Sequence, residues 1–529
     1  MRSLAACWPY GQSDGAPLEL VSAALPWSRP CEPGVNPPDS NISTPDPALA
    51  RESQGRVFDT ENPQLGRRIA FIIAVIGISL ITGMALVMVK TEVLVAAVIG
   101  VVTLVLILRN PYLGLLVYLV VYSMRLAEVF PALAILRPER ILGVLTFGLL
   151  VLSQLYWQGR IAFDASRQTR HFYLLILAAF LSVPFAYWRI GAWMGTMDFV
   201  KFLMFYLLVV HLVNTRAKLR GFVYLQCAMI GYLALDSTLN YLRGALLHAQ
   251  GIDRALGATS MADGPNELGA TMACTIPLFV YFSFTKQLGR LRLVFMTGLA
   301  LTIFTLMLTG SRSGLIGFMA SMVFVWWKSR HRVILGAIGV ILAIGMFAAL
   351  PEQYKGRYAT ITTSSLDGSS QERLKVWTKG MEMFASRPIT GVGIGCFGTA
   401  NAAAFSGGAR ASWLESHSLY VQVPAEMGLV GIFAFFSFLL EFMRLNRRTE
   451  RQMSKEKDNG WAFERALLTG MFGGFIALLF TGIFGHSLTR DTWYLYSALG
   501  LATLRIYISE RPELAADLRE RIMGLAQKG

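Results

Sequence analysis

Charged side chains are scarce in this chain. Asp, Glu, Lys and Arg make up only 15% of its 529 residues, whereas hydrophobic residues make up 54%. Soluble globular domains carry about 25% charged residues, so the composition argues against a soluble fold. Cysteine is sparse as well: the five cysteines stand far apart, and no pair has the CxxC spacing. The sequence therefore predicts neither a zinc site nor a disulfide framework.

Sequence signatures of nucleotide and metal chemistry are missing too. The chain has no Walker A loop and no GxSxG nucleophile motif. Its acidic residues form neither a DxD nor an EF-hand pattern of the kind that holds a cation. We therefore predict no cofactor and no metal ligand.

Long apolar runs are what the chain has in abundance. A membrane-spanning helix needs about 20 mostly apolar residues, and backbone groups in lipid must bond internally, which favours helices. The sequence predicts an all-α, polytopic transmembrane helical bundle of about 12–14 spans. Twelve spans stay possible, because counting two spans too many would leave the same alternation between basic and outward-facing connections. The fourteen candidate spans are residues 69–89, 93–108, 111–123, 141–157, 171–188, 199–213, 220–240, 267–285, 293–309, 313–327, 333–350, 418–442, 465–485 and 493–508.

Four regions follow from this pattern. Residues 1–66 are rich in Pro, Ser, Asp and Gly, which is typical of a disordered tail. Residues 67–508 form the transmembrane bundle, which contains one large loop at residues 351–417. Residues 509–529 are the C-terminal tail.

Basic residues mark alternate connections between the spans. By the positive-inside rule these connections are cytoplasmic, and both tails lie with them. The large loop then lies on the outer side of the membrane. The net charge of +15 follows from the same rule, so it indicates a lipid bilayer as partner and no nucleic acid.

The large loop is too long to be a simple connector, and loops of this length usually carry function. Leu374, Trp377, Met381 and Phe384 have helical spacing, so the loop is expected to contain short helices. The glycine-rich residues 391–397 that follow are interpreted as a turn that packs closely on the bundle.

A histidine stands where this loop enters the next apolar run. His417 heads a helix on which Ser418, Gln422 and Glu426 form a polar stripe at intervals of four residues. A carboxylate inside a membrane indicates a functional site with a partner, although packing against a neighbouring helix also explains Glu426. Pro424, Gly428 and Gly431 are expected to bend this helix or to let another segment pack close.

Arginines are unexpectedly frequent on the side predicted to face outward. Arg312 lies in residues 309–314 (TGSRSG), a short turn between two spans, where its fork-shaped guanidinium suits a phosphate. Simple snorkelling to the interface also explains it. Further outward arginines are Arg243, Arg254, Arg357, Arg373, Arg387, Arg410 and Arg490. Together they predict an anionic ligand at the outer leaflet.

Three stretches in this order resemble the O-antigen ligase and Wzy-type polymerase superfamily of bacterial envelope glycan assembly. They are residues 309–314, residues 372–395 in the large loop, and residues 417–431. The resemblance covers about residues 220–505. The Pro-rich tail and the number of spans depart from lipid A-core ligases, which bears on the acceptor more than on the chemistry.

The resemblance implies a metal-independent inverting glycosyltransferase that moves a glycan from undecaprenyl diphosphate on the periplasmic side. By motif, His417 is implied as the catalytic residue, and Arg312 and Arg373 as ligands of the diphosphate. Glu426, Arg387 and Arg490 are candidates for supporting roles. The acceptor is a lipid A core, another glycan or a protein.

Two alternatives stay open at this point. A Wzy-type polymerase would extend a lipid-linked polysaccharide or exopolysaccharide with the same chemistry. A transporter or flippase for an anionic lipid-linked substrate would show internal repeats and helices broken near the midplane, and the sequence has no clear internal repeat.

Overall fold

The computed structural model describes residues 91–124, 137–249, 252–257, 264–329, 352–359, 368–405, 413–456, 459–485 and 487–512, with a few single positions between them. The chain divides into residues 1–88 and residues 89–529, and the elements named here belong to the second unit. The predictions for the tail 1–66, the spans 69–89 and 333–350 and most of the C-terminal tail lie outside the described residues.

Helices make up nearly all of the described chain, which confirms the all-α class. The long helices before the large loop are α1 (Thr91–Arg109), α2 (Pro111–Met124), α3 (Pro138–Gln158), α4 (Arg167–Ser182), α5 (Arg189–Leu212), α6 (Arg216–Leu242), α7 (Pro265–Phe284), α8 (Leu291–Leu308) and α9 (Arg312–Lys328). The large loop contributes α10 (Glu352–Ala359), α11 (Gly368–Ser386) and α12 (Phe397–Ala400), and the chain continues with α13 (Leu419–Met453), α14 (Ala462–Thr481) and α15 (Asp491–Glu510).

Within the described residues, seven helices are long and apolar enough to cross a membrane, namely α3, α5, α6, α7, α8, α13 and α14. The protein is a multi-pass membrane protein. Twelve of the fourteen predicted spans coincide with helices α1–α9 and α13–α15. The fifth span was predicted to reach residue 188, but α4 ends at Ser182, and a turn that contains Pro184 connects it to α5.

Local signals in the sequence explain where several of these helices begin. The side chains of Ser166, Thr215 and Ser311 each accept a hydrogen bond from a backbone N–H in the first turn of α4, α6 and α9. Such caps satisfy donors that an isolated helix end leaves unpaired. Proline opens α3 and α7, where the missing N–H costs nothing.

Helix α14 packs against its neighbours through glycines. A β-carbon at Gly474 would lie 2.1 Å from the Cys274 carbonyl oxygen on α7, and one at Gly317 on α9 would lie 2.9 Å from the Ala477 carbonyl oxygen on α14. Small residues allow such close backbone approach, which is the usual basis of helix association in lipid. Helix α14 is therefore wedged between α7 and α9.

One end of the bundle carries the segment after α6 and the described part of the large loop, and we call it the loop end. A two-stranded antiparallel hairpin, β1 (Leu247–Ala249) and β2 (Ile252–Arg254), pairs Leu247 with Arg254 there; the sequence did not predict it. The Tyr354 hydroxyl of α10 donates to the Leu308 carbonyl oxygen at 3.3 Å. The Ile394 N–H donates to the Ser182 hydroxyl at 3.2 Å, so the large loop covers the ends of α4 and α8.

Helix α13 is broken close to the loop end. Gly428 has φ 62° and ψ −157°, which no helical residue adopts, and it lies four residues after Pro424. The expected bend is thus confirmed. The break leaves backbone groups of α13 without partners inside the helix, and another segment of the chain must satisfy them.

The glycine-rich part of the large loop supplies those partners. Leu429 N–H donates to the Pro388 carbonyl oxygen at 2.8 Å, and the N–H groups of Val392 and Gly393 donate to the carbonyl oxygens of Ala425 and Glu426 at 2.8 and 3.0 Å. Residues 388–395 therefore dock backbone to backbone on the broken helix. The prediction that this stretch is a closely packed turn is confirmed.

This docking predicts different effects for two alanine substitutions. Gly391 and Gly395 both have φ 70°, and a β-carbon in this left-handed conformation costs about 1–2 kcal/mol. Only at Gly391 does the β-carbon also meet backbone, 2.3 Å from the Glu426 carbonyl carbon; at Gly395 its nearest neighbour is 3.8 Å away. We expect Gly391→Ala to lower the thermal unfolding midpoint of the detergent-purified protein well below that of Gly395→Ala. Equal midpoints, followed by tryptophan fluorescence, would contradict the close docking.

Candidate functional site

His417 stands immediately before α13 at the loop end, and its backbone is unusual. Its φ is 45°, and few non-glycine residues adopt a positive φ. The preceding residue, Ser416, makes two hydrogen bonds. Trp377 Nε1 donates to its carbonyl oxygen at 3.0 Å, and its hydroxyl donates to the Ser418 carbonyl oxygen at 3.1 Å. Strained backbone held by its surroundings is often associated with functional sites.

The first turn of α13 is tied to the connection between α14 and α15. Leu419 N–H donates to the Gly482 carbonyl oxygen at 2.7 Å. Leu488 N–H donates to Gln422 Oε1 at 3.4 Å. The half-buried His417 therefore lies in a corner formed by α11, the start of α13, residues 482–485 and residues 487–488, which we call the His417 corner.

Arg373 lies on the side of α11 that faces this corner. It precedes Trp377 by four residues, and residues four apart share one face of a helix. Trp377 contacts Ser416 next to His417. The structure therefore brings Arg373 and His417 to the same side of α11.

Arg312 is the first residue of α9, and its position is set by the turn before it. Arg254 Nε donates to the Thr309 carbonyl oxygen at 2.7 Å, and Asn266 Oδ1 accepts from both Arg254 Nη2 and the Ser311 hydroxyl. Arg254 is almost fully buried. Sequence reasoning counted it only as one of several outward arginines; its role in holding this turn depends on contacts between distant segments.

Helix α9, which begins with Arg312, passes the end of α14 next to the His417 corner. A β-carbon at Gly317 would lie 2.5 Å from the Thr481 side chain, and the next residue, Gly482, accepts from Leu419. Arg312 lies five residues before Gly317, about 7.5 Å further toward the loop end. The elements that carry Arg312 and His417 thus meet at the end of α14.

Arg490 is close to the same turn. Its Nη1 donates to the Thr271 hydroxyl of α7 at 3.0 Å. Two residues earlier in α7, a β-carbon at Gly269 would lie 2.7 Å from Ser311. The structure therefore places Arg490 beside the turn that carries Arg312.

Arg387 lies elsewhere. Its guanidinium stacks over the ring of Tyr187 at 4.4 Å, in the turn between α4 and α5. The neighbouring Pro388 is docked on α13 beyond the break. Arg387 is thus separated from His417 by the whole first segment of α13.

Glu426 is buried within the docked loop. Its Oε2 accepts from the Gly395 N–H at 3.0 Å and from Gln422 Nε2 at 3.5 Å. No described residue donates to its Oε1. Through these contacts Glu426 positions residues 393–395. Its connection to the His417 corner runs only through Gln422, which also accepts from Leu488.

Cys396 is the cysteine in the large loop, and it is fully buried. Burial raises the pKa of its thiol to about 11, and Sγ donates to the Trp188 carbonyl oxygen at 3.3 Å. A thiol that stays protonated is a poor nucleophile, so Cys396 serves packing. No group of three or more His, Cys, Asp or Glu side chains that could hold a metal ion occurs among the described residues; metal independence stays a prediction.

The contacts of Glu426 predict how two substitutions differ. Glu426→Gln keeps an oxygen that accepts from Gly395, whereas Glu426→Ala removes the acceptor of this part-buried N–H, and such a hydrogen bond typically contributes about 0.5–1.5 kcal/mol. We expect Glu426→Ala to lower the thermal unfolding midpoint and Glu426→Gln to leave it near the wild-type value. A Glu426→Gln protein that unfolds normally but has lost its activity would show instead that the charge is required.

Residues 297–436 of the chain match the family model described as O-Antigen ligase. The matched stretch begins in α8, includes the Arg312 turn, α11 and His417, and ends in α13. No curated protein matched the chain. The resemblance expected from the three motifs is thus confirmed over these residues, and the chain is a multi-pass membrane protein in which residues 297–436 are similar to the O-antigen ligase family.

Proposed function

We propose that this protein transfers a glycan from undecaprenyl diphosphate to an acceptor, in the manner of an O-antigen ligase, at the periplasmic face of a bacterial inner membrane. The family domain gives it a ligase or polymerase type of function. One observation carries the finer proposal: the helix of Arg312 and the first turn of α13 after His417, both within the matched residues, contact the end of α14 at Thr481 and Gly482.

The distribution of basic residues supports a periplasmic position for the loop end. At the opposite end, the helix ends and the connections between them are basic; they carry Arg216, Lys218, Arg220, Lys286, Arg290, Arg292, Lys328, Arg444, Arg447, Arg448 and Arg451. The positive-inside rule assigns such an end to the cytoplasm. The His417 corner then faces the periplasm, where ATP and nucleotide sugars are absent.

The proposed reaction is a single displacement at the anomeric carbon of the donor sugar. The acceptor hydroxyl forms the new bond to this carbon while the bond to the diphosphate oxygen breaks, with inversion of configuration. Neutral imidazole can take up the hydroxyl proton near neutral pH, which is the role of His417. Undecaprenyl diphosphate leaves with the bonding electrons and needs no further activation.

Arg312 and Arg373 are proposed to hold the diphosphate. Negative charge grows on the leaving oxygen as the bond breaks, so cations fixed near it stabilise the transition state more than the ground state. Arg312 is also the first residue of a helix capped by Ser311, and backbone N–H groups at a helix start favour phosphate. Arg490, hydrogen-bonded to Thr271, adds positive charge nearby.

Removing the imidazole tests the proposed proton acceptor. Loss of general base catalysis typically costs 10²–10⁴-fold in rate, so we expect His417→Ala to reduce transfer from a lipid-linked glycan by about this factor. His248→Ala is the matched control, because His248 is an exposed histidine of the hairpin at the same end, paired with Asp253. Transfer at the wild-type rate by purified, folded His417→Ala protein would refute the assignment.

Replacing Arg312 by lysine tests recognition of the diphosphate. Lysine keeps the charge but loses the two-pronged contact, and one hydrogen bond to a charged group contributes about 1.5–3 kcal/mol. We expect Arg312→Lys to weaken donor binding about tenfold or more, measured as donor affinity in detergent. Arg243→Lys, at an exposed arginine just after α6, should bind normally. Unchanged donor affinity in Arg312→Lys would indicate that Arg312 only snorkels.

The same assay separates the alternatives. A ligase gives one transferred glycan per acceptor, whereas a polymerase gives a ladder of products. A transporter gives movement of the lipid-linked substrate across a vesicle membrane without any new glycosidic bond.

A further inference from the structure

A cavity of about 470 Å³ opens at the loop end, away from the His417 corner. One wall is the turn between α4 and α5, with Phe185 and Arg189. The other wall is the docked loop, with Arg387, Ile389 and Thr390. Two arginines from distant parts of the chain therefore line one cavity.

These two arginines lack the acidic partners that other arginines of the protein have. At the opposite end of the bundle, Arg216 and Arg220 share the buried Glu464. Among the described residues, neither Arg189 nor Arg387 forms an ion pair, and no carboxylate lines the cavity. Arg387 is fixed instead by its stacking on Tyr187 at 4.4 Å. Positive charge at this cavity is thus left for a ligand to neutralise.

The surface around the cavity is apolar and rich in aromatic residues. Phe185, Trp188, Ile190, Trp193 and Ile389 are each between 46% and 64% exposed. Tryptophan and tyrosine concentrate at the level of lipid headgroups, and exposed aliphatic side chains beside them suit hydrocarbon. A ligand that satisfies both the arginines and this surface has an anionic head and an apolar tail.

The cavity is distinct from the proposed donor site. The docked loop meets α13 at Leu429 and Val430, whereas His417 precedes Leu419 at the other end of the broken segment. The ten residues between these points span about 15 Å of helix. Glu426 and the loop backbone occupy the space between the two sites.

We propose that this cavity binds the phosphate headgroup of a membrane lipid between Arg189 and Arg387, with the lipid chain lying along Phe185 and Ile389. The guanidinium fork suits phosphate oxygens. Arg189 is also the first residue of the 24-residue helix α5, whose N–H groups add positive potential. This second lipid site does not rest on His417 acting as a base.

Two membrane lipids share this chemistry, a bulk anionic phospholipid and a polyprenyl phosphate. The test is native mass spectrometry of the full-length protein in detergent with three probes: phosphatidylglycerol, undecaprenyl phosphate and the zwitterionic phosphatidylcholine. We expect wild-type protein to retain one of the two anionic probes in preference to phosphatidylcholine. Preference for phosphatidylglycerol identifies a bulk lipid site, and preference for undecaprenyl phosphate identifies a polyprenyl lipid site.

The double variant Arg189→Gln/Arg387→Gln should retain the preferred probe roughly ten- to thirtyfold less well, since each basic residue near a membrane surface contributes to attraction of anionic lipid. Arg243→Gln/Arg290→Gln, at two exposed arginines outside the cavity, is the matched control and should bind like wild type. Equal retention by all three proteins would overturn the proposal.

Two further variants guard against ambiguous results. Arg189 is exposed, so Arg189→Gln alone should fold and show a partial loss. Arg189→Lys/Arg387→Lys keeps both charges and should recover part of the binding; no recovery in a folded protein would also count against a phosphate ligand. His417→Ala should retain the lipid normally, so loss of transfer and loss of lipid binding are separate outcomes.

Discussion

The backbone pairing between residues 388–395 and the break in α13 is the contact on which the loop end depends. Gly428 interrupts the helix, and the groups freed by the break bond to the loop. In or near lipid no water is present to form hydrogen bonds with these backbone groups. The break is therefore stable only because the loop supplies their hydrogen-bond partners. The same pairing fixes the end of α11 and the glycine turn, and therefore the approach to His417.

Two arginine-lined regions lie on either side of the broken segment as a result. The helices that carry Arg312 and Arg373 both contact segments next to the His417 corner, whereas Arg189 and Arg387 line the cavity beside α4 and α5. The opposite end of the bundle contains ion pairs between arginines and buried acidic residues. There, Arg216 and Arg220 pair with Glu464, and Arg505 pairs with Asp164. Arg189 and Arg387 differ from these arginines, because no described carboxylate pairs with either of them.

Local patterns in the sequence predicted the helices well, because each helix satisfies its own backbone and needs only an apolar run and a cap. The helix in the large loop was also predicted, but its buried face was not. Leu374 and Met381 are about half exposed, whereas Val376, Gly380 and Met383 are buried. Gly380 packs where a β-carbon would lie 2.3 Å from Val421, and a pattern of apolar residues does not reveal a glycine chosen for close contact.

The sequence by itself determined the membrane class, the helices, the bend in α13 and the motifs that mark an O-antigen ligase domain, since each depends on composition or on residues close together in the chain. Only the tertiary structure decided which arginines share a site. Arg387 lies beside Arg189 in one cavity and not near His417. Arg254 stabilises the Arg312 turn, and Glu426 binds the Gly395 N–H. Each of these contacts joins segments at least 30 residues apart, and only the packing of the helices brings such segments together.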